Sequence, residues 1–289
     1  MRPKLVSKIN DLTPGQWLFR SKSVLRRTFG SGKEFAHAIR MEANKTSKPP
    51  QLCKDIIENF SKSGDLVYDV FAGTGGVLLG AQMALRKVHG CEIDPVQVLA
   101  YKKACCAMSS LFIEFDQEAV ENCDVFEKFD KWVGDPFVDF LFTDPPFFDI
   151  DRRPKSTRWH RVGGNKPRAM EPFRKCSFAS LDEWIGFMER FGCLASKIVK
   201  PKKYLAFFMD DAYLNGEYVF LTHLSAEAMK RSGWLPQGEY IWYNEGRRPG
   251  FFGFPVKMIT NRTHMSVLFF TNTQKETKNE PDRGKGSEG

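Results

Sequence analysis

The sequence predicts an α/β domain built on a mostly parallel sheet with helices on both faces. Three observations carry that expectation. From residue 65 to residue 233, short apolar runs of strand length alternate with stretches of helix length, the order that generates βαβ units. The glycine-rich segment FAGTGG (71–76) joins one such run to one such stretch. The segment VDFLFTD (138–144) is almost wholly apolar up to its final acid, as a strand covered on both faces must be.

The elements follow in order. DLVYDVF (65–71) reads as a buried strand and GGVLLGAQMALRK (75–87) as a helix opening on the glycines. VHGCEI (88–93) is a second strand. It is followed by DPVQVLAYKKACCAMSS (94–110), which has Asp94 as N-cap and Pro95 at the first helical position. After the strand 138–144 come an amphipathic helix, LDEWIGFMERFGCLASKIV (181–199), and the strand KYLAFFMDD (203–211). LTHLSAEAMKRSG (221–233) is a helix ending at a glycine. YIWYNE (240–245) and HMSVLFFTN (264–272) are late strands, the last expected to run antiparallel. Residues 273–289 are polar and aperiodic and are expected to be a disordered tail.

Composition narrows the function. The N-terminus lacks the apolar stretch of a signal peptide, and no run reaches the roughly 18 apolar residues of a membrane span. An intracellular, cytoplasmic protein with no membrane partner is therefore expected. The seven cysteines (Cys53, Cys91, Cys105, Cys106, Cys123, Cys176, Cys193) form no CxxC pair and no zinc spacing, so reduced core thiols and no metal are expected. The net charge of +8 favours a polyanionic partner. Nine cations lie between Arg152 and Lys175, among them Arg152, Arg153, Lys155, Arg158, Arg161, Lys166 and Arg168, with only Glu171 against them. A solvated charge run is the plain alternative, but the cluster follows directly on the DPPF segment (144–147).

The glycine turn is not a P-loop, because no GxxxxGK[ST] lysine follows. As a dinucleotide fingerprint it is half complete: Gly73 and Gly75 supply GxG, but Leu78 stands where the third glycine would seat the helix on the strand. That half suffices for one nucleoside, with no Cβ to hold the ligand off the backbone. An acid ending the second strand would take the ribose hydroxyls. Glu92 stands 17 residues after Gly75, with Asp94 beside it. A purely structural tight turn is the alternative.

In DPPF, the Asp144 carboxylate can accept one N–H of an amino group on a flat ring. The carbonyl of Pro145, in a segment held extended by proline, can accept the other. Two acceptors draw the nitrogen lone pair out of conjugation and make it a nucleophile. Phe147 can stack on the base for about 1–3 kcal/mol. No Pro-Cys dipeptide offers a nucleophile for carbon methylation. A proline-rich turn after a strand is the plain alternative. Both motifs sit at strand carboxyl ends and so face one crevice.

At these residues the chain resembles the S-adenosylmethionine-dependent DNA amino-methyltransferases, which modify N6 of adenine or N4 of cytosine. The resemblance runs from about residue 10 to 271 through NDLTPGQWLFRSKSVLR (10–26), KTSKPPQLCKDIIENFSKSGDLVYDVFAGTGGVLLGA (45–81), VDFLFTDPPFFDIDRRP (138–154) and GFFGFPVKMITNRTHMSVLFF (250–270). It implies a Rossmann-like class I methyltransferase fold, with a mostly parallel seven-stranded sheet and an antiparallel late strand. S-adenosylmethionine would be the cofactor and double-stranded DNA the partner. Lys48 and Pro49 would lie near the methionine part of the cofactor. Asp69, Phe71, Ala72, Gly73, Thr74 and Gly75 would form the cofactor turn, Glu92 would hold the ribose, and Ile93 would be a further cofactor contact. Asp124 would meet the adenine, with Asp116 as its competitor. Asp144, Pro145, Pro146 and Phe147 would be the catalytic tetrapeptide, its leading aspartate favouring adenine N6 over cytosine N4.

The implied organisation is a basic N-terminal segment (1–45) packed on a catalytic domain (46–272). Too little chain follows the tetrapeptide for a separate recognition domain. Target recognition falls to insertions at 150–178 and 244–255, the second carrying Arg247 and Arg248. The target base would have to flip out of the stack. Phe148, Trp159 and Phe252 are open to that step and equally to core positions. An RNA amino-methyltransferase and a catalytically silent DNA-binding subunit are the remaining alternatives.

Overall fold

In a computed structural model of the protein, residues 7–29, 47–109, 114–148, 178–214, 217–246, 258, 260 and 262–273 are described. The elements in chain order are α1 (Pro14–Arg20), β1 (Val24–Arg26), α2 (Pro50–Phe60), β2 (Leu66–Asp69), α3 (Gly76–Met83), β3 (Lys87–Glu92), α4 (Pro95–Met108), β4 (Val120–Asn122), α5 (Val125–Phe129) and β5 (Val138–Thr143). They continue with α6 (Leu181–Ile198), β6 (Val199–Met209), β7 (Ala212–Leu214), β8 (Glu217–Val219), α7 (Leu221–Arg231), β9 (Trp234–Tyr243) and β10 (His264–Asn272).

The sheet order is β1-β9-β10-β6-β5-β2-β3-β4. β2 pairs in parallel with both β3 and β5, and β5 pairs in parallel with β6. β10 runs antiparallel to β6 and to β9. The chain thus winds outwards in opposite directions from β2 and β5, which places the topological switch point between their carboxyl ends. The expected Rossmann-like α/β sheet, mostly parallel with an antiparallel late strand, is the sheet observed. It gains an eighth strand, because Val24, Leu25 and Arg26 of the N-terminal segment pair in parallel with β9.

Strand alternation divides the core into two layers. Leu205, Phe207 and Met209 of β6 face the helices α6 and α7, where Trp184, Met188 and Phe191 are fully buried. Ala206 and Phe208 face α2 with Phe140 and Phe142 of β5. α3 ends at Met83 rather than continuing to Lys87. Leu85 turns into the left-handed region (φ 60°), and the buried Arg86 donates to Ser61 Oγ and to the Ser61 carbonyl. The left-handed Leu85 breaks the helical run before Arg86, whose side chain is then spent on the end of α2.

Candidate active site

β2 ends in the buried Asp69, whose Oδ1 accepts from Thr143 Oγ1 at 2.6 Å and from the Phe71 N–H at 3.1 Å. Thr143 is the last residue of β5. This carboxyl therefore ties together the two strand ends that flank the switch point. Burial pushes Asp69 up to about 7, and the nearby Asp144 and Glu92 push in the same direction.

Beyond Asp69 the chain makes its turn. Gly73 (φ 52°) donates its N–H to Glu92 Oε2 at 2.7 Å, and the Asp94 N–H donates to Oε1 at 2.8 Å. Glu92 is thereby clamped at the end of β3, with burial raising it and those backbone donors opposing the rise. A Cβ on Gly73 would meet nothing within 4 Å, whereas one on Gly75 (φ 80°) would lie 2.1 Å from the Tyr101 ring. The two glycines differ in kind: Gly73 opens a space beside an acid, and Gly75 closes a packing contact. The seat expected of a third glycine is found on the strand. A Cβ on Gly90 would come 3.0 Å from Leu78 Cδ1 and 2.7 Å from the Asp69 carbonyl. Leu78 can occupy the helix position because the glycine is in β3.

Lys48 is buried, and its ammonium pairs with Asp144 Oδ2. Its Nζ lies 5.0 Å from the Phe208 ring centre and 5.8 Å from that of Phe147. The Lys48 carbonyl rests on the start of α3, where a Cβ on Gly76 would stand 2.2 Å from it. Next to it, Ser47 and Thr74 share a hydroxyl contact. Asp144 Oδ1 is buried and has no hydrogen-bond partner among the described residues. Burial raises the Asp144 carboxyl above the ordinary carboxylate range, opposed by Lys48 and reinforced by Asp210.

The tetrapeptide is held from the other face. Trp184 of α6 donates its indole N–H to the Pro146 carbonyl at 3.0 Å. Phe147 packs at the margin of the core, and Phe148 lies within it. At the end of β6, Arg262 pairs with Asp210 and with Asp211, the latter at 2.6 Å. Asp211 also accepts from the Thr222 N–H and hydroxyl. Trp184, Asp210 and Arg262 escaped the sequence reading. Trp184 fits a helix pattern that already explains an apolar residue, Asp210 follows the last residue of β6, and Arg262 precedes β10. Packing alone sets Trp184 and Asp210 near the tetrapeptide and Arg262 on Asp210.

Asp124 caps α5 just beyond β4, accepting from the Phe126 N–H at 2.8 Å. Asp116 precedes β4 and closes a local turn with the Glu118 N–H, at the opposite end of the strand from the crevice. Asn122 ties the same end of β4 to Glu92 and Ile93 through their carbonyls. Lys48, Pro49, Asp69, Phe71, Ala72, Gly73, Thr74, Gly75, Glu92, Ile93, Asp124 and residues 144–147 therefore belong to segments along one edge of the sheet. The expected nucleic-acid contacts Arg152, Arg153, Lys155, Arg158, Arg161, Lys166, Arg168, Arg247 and Arg248 lie outside the described residues, as do most of the insertions 150–178 and 244–255 and nearly all of the tail. Cys53, Cys91 and Cys105 are buried core thiols, while Cys106 and Cys193 are exposed.

Residues 7–103, about a third of the chain, match a protein family described as DNA methylase. The resemblance read from the glycine turn and its lead-in holds over that stretch. No curated protein matches the chain. Solved structures similar to it include TrmN from Thermus thermophilus, at 14% identity and a TM-score of 0.49, covering 83% of this chain and 52% of that one. The chain thus spans about half the length of TrmN. A methyltransferase from Pyrococcus furiosus gives 13% identity and a TM-score of 0.46 over 83% of this chain and 93% of the other. A TehB-like SAM-dependent methyltransferase from Corynebacterium glutamicum gives 12% and 0.42, over 77% and 86%.

Proposed function

We propose that the protein is an S-adenosylmethionine-dependent DNA methyltransferase acting on the N6 amine of adenine. The observation that carries the proposal is the state of Asp144. One carboxylate oxygen is bound by Lys48, and the other is buried without a partner among the described residues at the switch point of the sheet. A buried acceptor left unpaired is costly, and an exocyclic N–H is a donor that would relieve it. The family match over 7–103, described as DNA methylase, and the net charge of +8 support DNA as the substrate.

The residues present suit the cofactor. The open side of Gly73 admits a nucleoside against the backbone, and Glu92, fixed by two backbone donors, keeps lone pairs for ribose hydroxyls. Asp124, at the end of β4, is the acid for the adenine edge. When bound, the cofactor supplies an electrophilic methyl group on a sulfonium. The chain's own part is to prepare the nucleophile. Asp144 Oδ1 and the Pro145 carbonyl accept the two N–H bonds of the amine, and Phe147 stacks on the ring. The nitrogen lone pair would then be free to take that methyl group from the sulfonium, and the proton shed by nitrogen would pass to the Asp144 carboxylate.

The test uses a methyl-labelled donor with duplex DNA and structured RNA as substrates, followed by digestion to nucleosides. N6-methyladenine from DNA is expected. Label found only in N4-methylcytosine would move the target to cytosine, and label found only in RNA would remove DNA as the substrate. Asp144→Asn is expected to abolish transfer while leaving cofactor affinity within about threefold, since its loss falls on an interaction with the target amine. Retained transfer in that variant would remove Asp144 from the chemistry.

A further inference from the structure

Lys48 enters the site as a cofactor neighbour, yet its ammonium is committed elsewhere. It pairs with Asp144 Oδ2 between the Phe208 and Phe147 rings, and only 6% of its side chain is exposed. Its backbone has little freedom, because its carbonyl fills the place of the missing Gly76 side chain. The lysine is thus a strut between the start of α3, in the cofactor half, and the tetrapeptide after β5. A buried ion pair is weak evidence for stability, because desolvation consumes most of the attraction. At a functional site such a pair marks a group whose charge state matters.

The surroundings of Asp144 make that charge state precarious. Asp69 stands at the end of β2, and Asp210, itself paired with Arg262, stands at the end of β6. The Cys53 thiol of α2, pushed up by burial, lies within electrostatic reach. Among these groups Lys48 is the cation in contact with the Asp144 carboxylate.

We propose that Lys48 is the positioning residue of Asp144. Its ammonium holds Oδ2, keeps the carboxyl charged in a buried acidic setting, and leaves Oδ1 as the acceptor for the incoming amine. This rests on the function proposed above for its consequence, but not for its test. A protonated Asp144 would lose acceptor capacity at the oxygen carrying the proton and could not take the proton released on transfer.

The experiment follows the ionisation of the Asp144 carboxyl by carbon-13 NMR on aspartate-labelled full-length protein, with D144N assigning the resonance and neither cofactor nor DNA present. In Lys48→Met the midpoint should rise by about one to three pH units, the usual effect of losing an adjacent opposite charge. Lys48→Arg, which keeps a cation at Oδ2, should titrate closer to wild type than Lys48→Met does. Lys48→Gln replaces Lys48→Met if the apolar variant does not fold. In methyl transfer at saturating cofactor, the acid limb of kcat should move by the same amount. An unmoved carboxyl midpoint overturns the proposal, as does Lys48→Arg titrating like Lys48→Met, which would assign the change to lost packing. A carboxyl that moves as expected in a protein that methylates no nucleic acid would instead sink the proposed function and leave the role of Lys48 standing.

Discussion

Trp184 donates its indole N–H to the carbonyl of Pro146 at 3.0 Å, reaching from the buried face of α6 to the loop that follows β5. Proline stiffens that loop but cannot fix its direction, since the two prolines have no N–H with which to join a ladder. The tryptophan supplies the missing constraint from a helix locked into the core.

Trp184→Phe should therefore leave the fold in place and degrade the site. A phenyl ring keeps most of the apolar contact, while the Pro146 carbonyl loses a buried donor at a cost of about 1–3 kcal/mol. Transfer should fall on the order of tenfold to a hundredfold in kcat, the scale expected of a small displacement of a reacting group. Cofactor affinity should stay within about threefold. The check is single-turnover methyl transfer beside calorimetric cofactor binding. A parallel loss of both would show that Trp184 supports the whole domain rather than the loop.

The mostly parallel order and the position of both motifs at strand ends were legible from the alternation of strand and helix runs, and the antiparallel last strand from the family resemblance. Residues such as Leu205, Phe207 and Phe142 have no partner outside a sheet covered on both faces. The eighth strand was not legible, because three residues, Val24–Arg26, carry no periodicity and gain their pairing from the edge of β9. The contrast between Gly73 and Gly75 was hidden for a different reason. Both satisfy the same left-handed turn, and only the ring of Tyr101, 26 positions from Gly75, tells them apart. Lys48 was visible as part of a Lys-Pro stretch, but its pairing with a carboxylate 96 positions away is a property of packing.

Gly90 tests the claim that the helix seat has moved onto the strand. Gly90→Ala sets a Cβ 2.7 Å from the Asp69 carbonyl and 3.0 Å from Leu78 Cδ1. Overpacking of this kind costs about 1–3 kcal/mol. Leu78→Ala in the same chain should relieve the side-chain contact and leave the carbonyl contact in force. The double variant should therefore remain less stable than Leu78→Ala alone, by urea denaturation. If it matched that single variant, the crowding at Gly90 would come from Leu78 only.

Asp69 gives a pH dependence of opposite sign to that of a salt-bridged aspartate. Its carboxyl sits at about 7 in the folded chain and near the ordinary 3.8 when unfolded. Below about 4 both states carry the proton, and its contribution to stability is fully present. Between about 4 and 7 the unfolded chain releases the proton while the folded chain keeps it, so stability falls as pH rises, by up to about 1.4 kcal/mol per pH unit. Above 7 both are ionised and the slope from this group ends. Glu92 and Asp144 are raised as well, so they tilt the curve the same way and Asp69 accounts for only part of it. Asp69→Asn keeps an acceptor for Thr143 and Phe71 but cannot ionise. Denaturant unfolding between pH 4.5 and 8 should show wild type losing stability more steeply than Asp69→Asn up to about pH 7, and parallel curves above it. Equal slopes across the whole range would mean that Asp69 ionises in the folded protein as readily as in the unfolded one.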